Sequence, residues 1–236
     1  MINELAVKIF ADGADLDAIL ALAENERITG FTTNPTLMRK VGLTDYEAFA
    51  RELLEHVTAH PISFEVFADD ADEMRRQALK IAAWGENVYV KIPVTNTKAE
   101  SMAALVRELA QDGVKVNVTA LFTTAQVELI ADAVRGGPPS YISVFAGRIA
   151  DAGIDPIPIM QESLKIMEAA PESELIWASP REVLNVVQAD QIGCHIITVT
   201  HDLLKKLGGL GKDLDQFSLE TVQMFRNDAV AAGYSL

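Results

Sequence analysis

Cysteine is almost missing from this chain: 236 residues carry one, Cys194. A single thiol excludes an intrachain disulfide and, with no partner thiol nearby, a zinc knuckle. Beside a buried strand it reads as a small core hydrophobe. Histidine is scarce as well, four residues in no H-E-x-x-H arrangement, so no metal is expected. Basic residues are few, 20 against 34 acidic, and the formal charge of -14 argues against a general nucleic-acid or anionic-membrane surface. No apolar run approaches the ~18 residues that would span a bilayer. Glycine (14) and proline (9) are too sparse for a collagen-like or low-complexity protein. The opening Met1-Ile2-Asn3-Glu4-Leu5 lacks the basic n-region of a signal peptide. The expectation is a soluble protein of a reducing compartment, a bacterial-type cytoplasm.

What the chain does have is a repeating alternation. Short runs rich in β-branched residues stand at Val7–Asp12, Gly30–Asn34, Ile62–Val66, Val88–Pro93, Lys115–Leu121, Tyr141–Gly147, Glu174–Ser179 and His195–Thr200. Amphipathic stretches follow them, at 15–24, 45–60, 71–84, 98–111, 125–135, 156–170, 180–189 and 202–207, several opened by an acidic residue, Ser, Thr or Pro. Eight such units in a chain of this length predict an α/β fold, a single (β/α)₈ TIM barrel over 1–236. The barrel occupies about 7–208. A doubly wound sheet is the alternative, but it calls for fewer strands and a Gly-rich first turn, and neither G-x-G-x-x-G nor G-x-x-x-x-G-K-[ST] occurs. After Gly208-Gly209-Leu210-Gly211 comes an additional C-terminal helix at about 214–232, available to cover its own barrel or a neighbour.

In a barrel the active site lies at the C-terminal ends of the strands. The polar residues there are Asp12, Thr33, Asn34, Glu65, Lys91, Asn117, Thr119, Ser143, Arg148, Ser179 and Arg181. Lys91 lies in the otherwise apolar Val88-Tyr89-Val90-Lys91-Ile92-Pro93. Enclosing an ammonium is costly, and a neutral amine is what attack on a carbonyl requires. The plainer reading is an outward-facing lysine or one paired with Glu65. Asp12 and Glu65 on different strands can divide acid and base roles. Asp12, followed by Gly13-Ala14-Asp15, also suits a turn or helix cap, and Glu65 suits an outward strand charge. Arg148 and Arg181 follow the sixth and seventh strands, where barrels often hold phosphate, with Ser179 offering a hydroxyl. Each arginine alone reads as a surface charge.

Five segments in order resemble the transaldolase family in its compact form, which includes the fructose-6-phosphate aldolases. They are Gly30-Phe31-Thr32-Thr33-Asn34-Pro35-Thr36, Val90-Lys91-Ile92-Pro93-Val94-Thr95, Asn117-Val118-Thr119-Ala120-Leu121-Phe122, Ile142-Ser143-Val144-Phe145-Ala146-Gly147-Arg148-Ile149 and Ala178-Ser179-Pro180-Arg181. The resemblance runs from Phe10 to the C-terminal helix. It implies a transferase of the pentose phosphate pathway that needs no cofactor. Lys91 would be the Schiff-base lysine, Asp12 the base that takes the proton from the C4 hydroxyl, and Glu65 with Thr119 the holders of the catalytic water. Thr33, Asn34, Asn117, Ser143 and Phe145 would face the substrate, and Arg148, Ser179 and Arg181 its phosphate. It implies sugar phosphates as partners and a homo-oligomer, a homodecamer, in which the last helix crosses to a neighbour. The aldolases resemble this chain but carry glutamine at Glu65 and tyrosine at Phe145, so both positions point to the transferase. An aldolase-type lyase and a non-catalytic sugar-phosphate-binding barrel are the competing readings. Gly13, Pro180 and His195 depart from the family pattern, where threonine, an aromatic and an acidic residue are usual.

Overall fold

The computed structural model describes residues 4–235. Met1–Asn3, where the N-terminal reading begins, and Leu236 lie outside them. Eight parallel strands close a barrel in sequential order: β1 (Lys8–Asp12), β2 (Ile28–Thr32), β3 (Ile62–Glu65), β4 (Val88–Pro93), β5 (Val116–Leu121), β6 (Ser140–Val144), β7 (Ser173–Trp177) and β8 (Ile196–Thr200). β1 pairs with β8 over five positions, from Lys8↔Ile196 to Asp12↔Thr200, and so shuts the sheet. The helices are α1 (Leu16–Ala23), α2 (Pro35–Lys40), α3 (Tyr46–His56), α4 (Ala71–Ala82), α5 (Ala103–Gln111), α6 (Thr124–Val134), α7 (Ala146–Asp151), α8 (Pro156–Met167), α9 (Val183–Gln191), α10 (His201–Leu207) and α11 (Leu214–Ala231). The expected α/β barrel with an added C-terminal helix is the fold observed. Among the described residues, no helix is long and apolar enough to cross a membrane.

Two short helices depart from the expectation, and both frame the barrel mouth. Asn34, read as a strand residue, caps α2: its Oδ1 accepts the Leu37 N–H at 3.0 Å, and Pro35 enters the first turn, where its missing N–H costs nothing. The sixth strand, expected to reach Gly147, ends at Val144, where the Phe145 N–H donates to the Leu121 carbonyl and α7 begins. The apolar run Val144-Phe145-Ala146 reads equally well as strand or buried helix. α5 begins at Ala103 rather than near Lys98, because Asn96 Oδ1 accepts the N–H groups of Lys98 and Glu100 and holds that segment as a turn.

Side chains of a strand alternate between faces, and here the alternation sorts two interiors. One phase (Ile9, Phe31, Phe64, Val90, Val118, Val144, Trp177 and Val199 among it) packs outward under the helices. The other phase points along the barrel axis. Its lower layer is apolar: Phe10, Tyr89, Tyr141, Ile176 and Ile196, with the Tyr89 and Tyr141 rings stacked at 4.1 Å and Phe10 edge-on to Tyr141 at 5.5 Å. Gly30 is part of this plug, since a Cβ there would lie 2.6 Å from the Phe10 ring. The upper layer of the same phase is polar, and it forms the floor of a cavity.

His195, at the foot of β8, belongs to the opposite end. Its Nδ1 accepts the Leu175 N–H at 2.9 Å, in place of a backbone acceptor where β7 and β8 share only two register positions. Burial holds the imidazole below its usual pKa. Cys194 is buried, and burial pushes its thiol up to about 12, in keeping with a core role.

Candidate active site

A cavity of about 530 Å³ opens at the C-terminal ends of the strands. Asp12, Asn34, Glu65, Lys91, Asn117, Thr119, Ser143, Phe145, Arg148, Ser179 and Arg181 all line it. Eleven residues from seven stretches of chain therefore converge because each stretch reaches the barrel mouth in the inward phase. Thr33 does not join them. It falls in the outward phase between Thr32 and Asn34, is fully buried, and donates its hydroxyl to the Ser63 carbonyl at 3.1 Å. What Thr33 sends toward the site is its backbone carbonyl.

Lys91 is the residue around which the floor is arranged. It is 7% exposed, and its Nζ donates to the Thr33 carbonyl at 2.9 Å and lies 3.2 Å from Glu65 Oε2. The two readings of Lys91 thus merge: it faces inward, and it is paired with Glu65. Register explains the pair, because Glu65 and Lys91 are directly matched across β3 and β4. The same register puts Asn117 beside Lys91 on β5.

Asp12 stands across the barrel mouth at the end of β1. It accepts a hydrogen bond from Thr32 Oγ1 at 2.8 Å and longer ones from Asn34 Nδ2 at 3.4 and 3.5 Å. Burial raises its carboxyl above the usual carboxylate range; Lys91, Thr32 and Asn34 oppose that rise without cancelling it. A carboxyl so placed can both take and return a proton closer to neutrality. Asp12 does not cap α1, a role held by Asp15.

Asn117 and Ser143 form a rigid ledge. The Asn117 amide donates to Ser63 Oγ at 2.9 Å, and its carbonyl accepts from Ser143 Oγ at 2.7 Å. All three are buried, so the amide has a single orientation. Thr119, also buried, lies two positions further along β5, before Ala120 at φ 63°. A left-handed alanine is strained, and it lies on the cavity wall.

The rim carries the cations. Arg181 donates through Nε to both carboxylate oxygens of Asp151, at 2.9 and 3.0 Å, and through Nη2 to the same carboxylate. Its remaining edge faces Ser179 Oγ, 3.2 Å from Nη1. Arg181 holds the Asp151 carboxyl below the usual range. The Arg148 guanidinium lies over the Phe145 ring, 5.2 Å from its centroid. Ser179 is at φ 61°, and Gly147 passes so close beneath it that a Cβ would lie 1.6 Å from the Ser179 carbonyl oxygen. Only glycine permits that approach.

Four polar residues of the lining lie outside the expected set: Thr32, Thr36, Lys40 and Thr198. Strict alternation back from Asn34 and forward from Ile196 would have found Thr32 and Thr198. Lys40 carried no such signal, being in a helix that was not expected. Among the described residues, no three His, Cys, Asp or Glu side chains gather as metal ligands. His56 and His60 are four apart in sequence, but α3 ends at His56, so they share no helical face.

Comparison with known proteins places the chain among relatives. The family model described as transaldolase/fructose-6-phosphate aldolase matches residues 9–236. The chain is 38% identical to a "Probable transaldolase" of Streptococcus equi subsp. zooepidemicus, covering 85% of this chain and 90% of that one. It is 37% identical to proteins of the same description from Thermoanaerobacter sp. and Methanococcus maripaludis, over 85% of this chain and 89% of each. Among solved structures it is similar to a lyase/mutase described as putative from Burkholderia cenocepacia (TM-score 0.59, 12% identity, covering 98% of this chain and 85% of that one). It is also similar to a tryptophan synthase alpha-subunit from Pyrococcus furiosus (TM-score 0.59, 14% identity, covering 92% and 96%). At those identities the likeness is of fold alone. The sequence relatives and the matched model go further, and this chain belongs to the transaldolase/fructose-6-phosphate aldolase family.

Proposed function

We propose that the protein is a transaldolase that moves a dihydroxyacetone unit from a ketose phosphate, fructose 6-phosphate or sedoheptulose 7-phosphate, to an aldose phosphate. The observation that carries this reading is the enclosed Lys91 amine, 3.2 Å from the Glu65 carboxylate, with Asp12 across the same cavity. Lys91 Nζ adds to the C2 carbonyl, and loss of water leaves an iminium, with Glu65 and Thr119 handling the proton and the water. Asp12 takes the C4 hydroxyl proton, the C3–C4 bond breaks, and its electrons pass to the iminium to give an enamine. The aldose phosphate leaves. An incoming aldehyde is attacked by the enamine, Asp12 returns the proton to the new hydroxyl, and water releases the product from Lys91.

Asn34, Asn117 and Ser143, which line the cavity, would bind the hydroxyls of the three-carbon unit. Arg148, Ser179 and Arg181 would grip the phosphate at the far end. Phe145 bears on transfer against simple cleavage: a phenylalanine beside the iminium offers no proton to quench the enamine. For the assembly we propose a homo-oligomer, supported by α11. None of its residues is buried, and Leu214, Phe217, Val222, Phe225 and Val230 are 53–78% exposed. A cytoplasmic setting in the non-oxidative pentose phosphate pathway goes with this activity.

The test is release of glyceraldehyde 3-phosphate from fructose 6-phosphate with and without erythrose 4-phosphate. Turnover that requires the acceptor is expected. Equal turnover without it would make the protein an aldolase, and no turnover with borohydride-stable labelling absent from Lys91 would refute the Schiff-base reading.

A further inference from the structure

In a parallel ladder, a residue that donates its N–H to position j−1 of the neighbouring strand accepts at its carbonyl from position j+1. The Thr33 N–H donates to the Ser63 carbonyl at 3.2 Å, so the ladder partner of the Thr33 carbonyl is the Glu65 N–H. That N–H donates instead to the phenol oxygen of Tyr46, at 2.8 Å, and the Thr33 carbonyl accepts from Lys91 Nζ at 2.9 Å. Tyr46 reaches this point from the first turn of α3, outside the barrel. Its hydroxyl donates in turn to the Glu65 carbonyl at 3.2 Å. β2 and β3 pair at only two register positions, Phe31↔Ile62 and Thr32↔Ser63, and the phenol stands where the third would be.

We infer that the Tyr46 hydroxyl is a positioning group for the reacting amine: it takes the Glu65 N–H out of the ladder, which frees the Thr33 carbonyl to hold Lys91 Nζ. The same bond fixes the backbone from which the Glu65 carboxylate reaches that nitrogen. The inference rests on Lys91 being the nucleophile. Burial keeps the phenol protonated well above its usual range, so it can donate and accept at once. The ring packs against Phe64, Phe67 and Trp84, with centroids at 6.1, 4.7 and 5.7 Å.

Tyr46→Phe removes one oxygen and keeps those ring contacts. The Glu65 N–H then falls back on the Thr33 carbonyl, and Lys91 loses its tether. With fructose 6-phosphate and erythrose 4-phosphate, kcat is expected to fall about tenfold with KM within about twofold. Labelling of Lys91 by trinitrobenzenesulfonate, followed on the Lys91 peptide by mass spectrometry, is expected to rise about fivefold, the worth of one lost hydrogen bond. A merely structural role would not produce that opposition. Trp84→Phe is the control: it disturbs the same aromatic cluster, leaves the hydroxyl in place, and is expected to lower the melting temperature while kcat and labelling hold. Unchanged Lys91 labelling in Tyr46→Phe, or the same pattern in Trp84→Phe, overturns the inference. If the native protein turns over no sugar phosphate and Tyr46→Phe still raises the labelling rate, the proposed function fails and the positioning role stands.

Discussion

Replacing Gly147 by alanine puts a methyl group where a carbonyl oxygen already is. The new Cβ would lie 1.6 Å from the Ser179 oxygen and 2.6 Å from its carbonyl carbon, and both are backbone atoms. A rotamer change cannot relieve that overlap. Bringing the pair even to 3.0 Å requires a separation larger by about 1.4 Å, taken up by the start of α7, by the Ser179–Arg181 loop, or by both. The cost in stability is about 1–3 kcal/mol, as for overpacking elsewhere. The larger effect is on the site. Arg148 lies one residue from Gly147, and Ser179 and Arg181 lie in the displaced loop, so all three proposed phosphate ligands move relative to Lys91. A displacement of about 1 Å costs on the order of a hundredfold when it misplaces a bound reactant. Gly147→Ala is therefore expected to lose about 10–100-fold in kcat/KM for erythrose 4-phosphate. It should lose far less for unphosphorylated glyceraldehyde, which does not use the rim. Steady-state kinetics with the two acceptors, together with a melting curve, decide the matter. A variant with native kcat/KM for the phosphorylated acceptor would refute the reasoning, as would equal losses on both.

Other consequences follow from the same geometry. Asp12→Asn removes the proposed base and keeps the shape; turnover should fall about 10²–10⁴-fold, while borohydride still traps substrate on Lys91. In the native protein, burial raises Asp12, and a base must be ionised to act. The acidic limb of kcat/KM should therefore lie above the usual aspartate value of about 3.9 and be missing from the residual activity of Asp12→Asn. Phe145→Tyr should raise cleavage of fructose 6-phosphate without acceptor, and flat acceptor-free turnover would dismiss the account of enamine protection. His195 has a lowered pKa in the folded state, so the unfolded chain binds its proton first. Its contribution to stability is complete above about pH 6.5 and falls as the pH drops from there through the folded pKa. Melting temperature against pH should show this loss in the native protein and lack it in His195→Asn, whose carbonyl can take the Leu175 N–H at any pH.

Much of this protein is legible along the chain, because the barrel is built from signals of short range. β-Branched runs of five or six residues and amphipathic stretches of about three turns are local patterns, and their eightfold repetition leaves few architectures open. Placing the site follows from the fold: once the strands are ordered, polar residues at their C-terminal ends must surround one mouth. Asp12, Glu65, Lys91, Asn117 and Ser143 were accessible in this way. So was the plain role of Cys194.

Tertiary structure alone decided the phase and the partners. Whether Thr33 or its neighbours face the cavity depends on register, and a shift of one residue exchanges faces; here Thr32 and Asn34 face in and Thr33 lends only its carbonyl. The end of β6 is set by contacts made far away in sequence: the Phe145 N–H donates to the Leu121 carbonyl, and Gly147 must slide under Ser179. Asp151 meets Arg181 across 30 residues, and Tyr46 reaches Glu65 from outside the barrel. None of these pairs has a spacing that a one-dimensional pattern could reveal. Local sequence determines which elements form and which chemistry stands at their ends. Closure of the barrel determines which of those groups meet, because only a closed sheet brings the eighth strand back to the first.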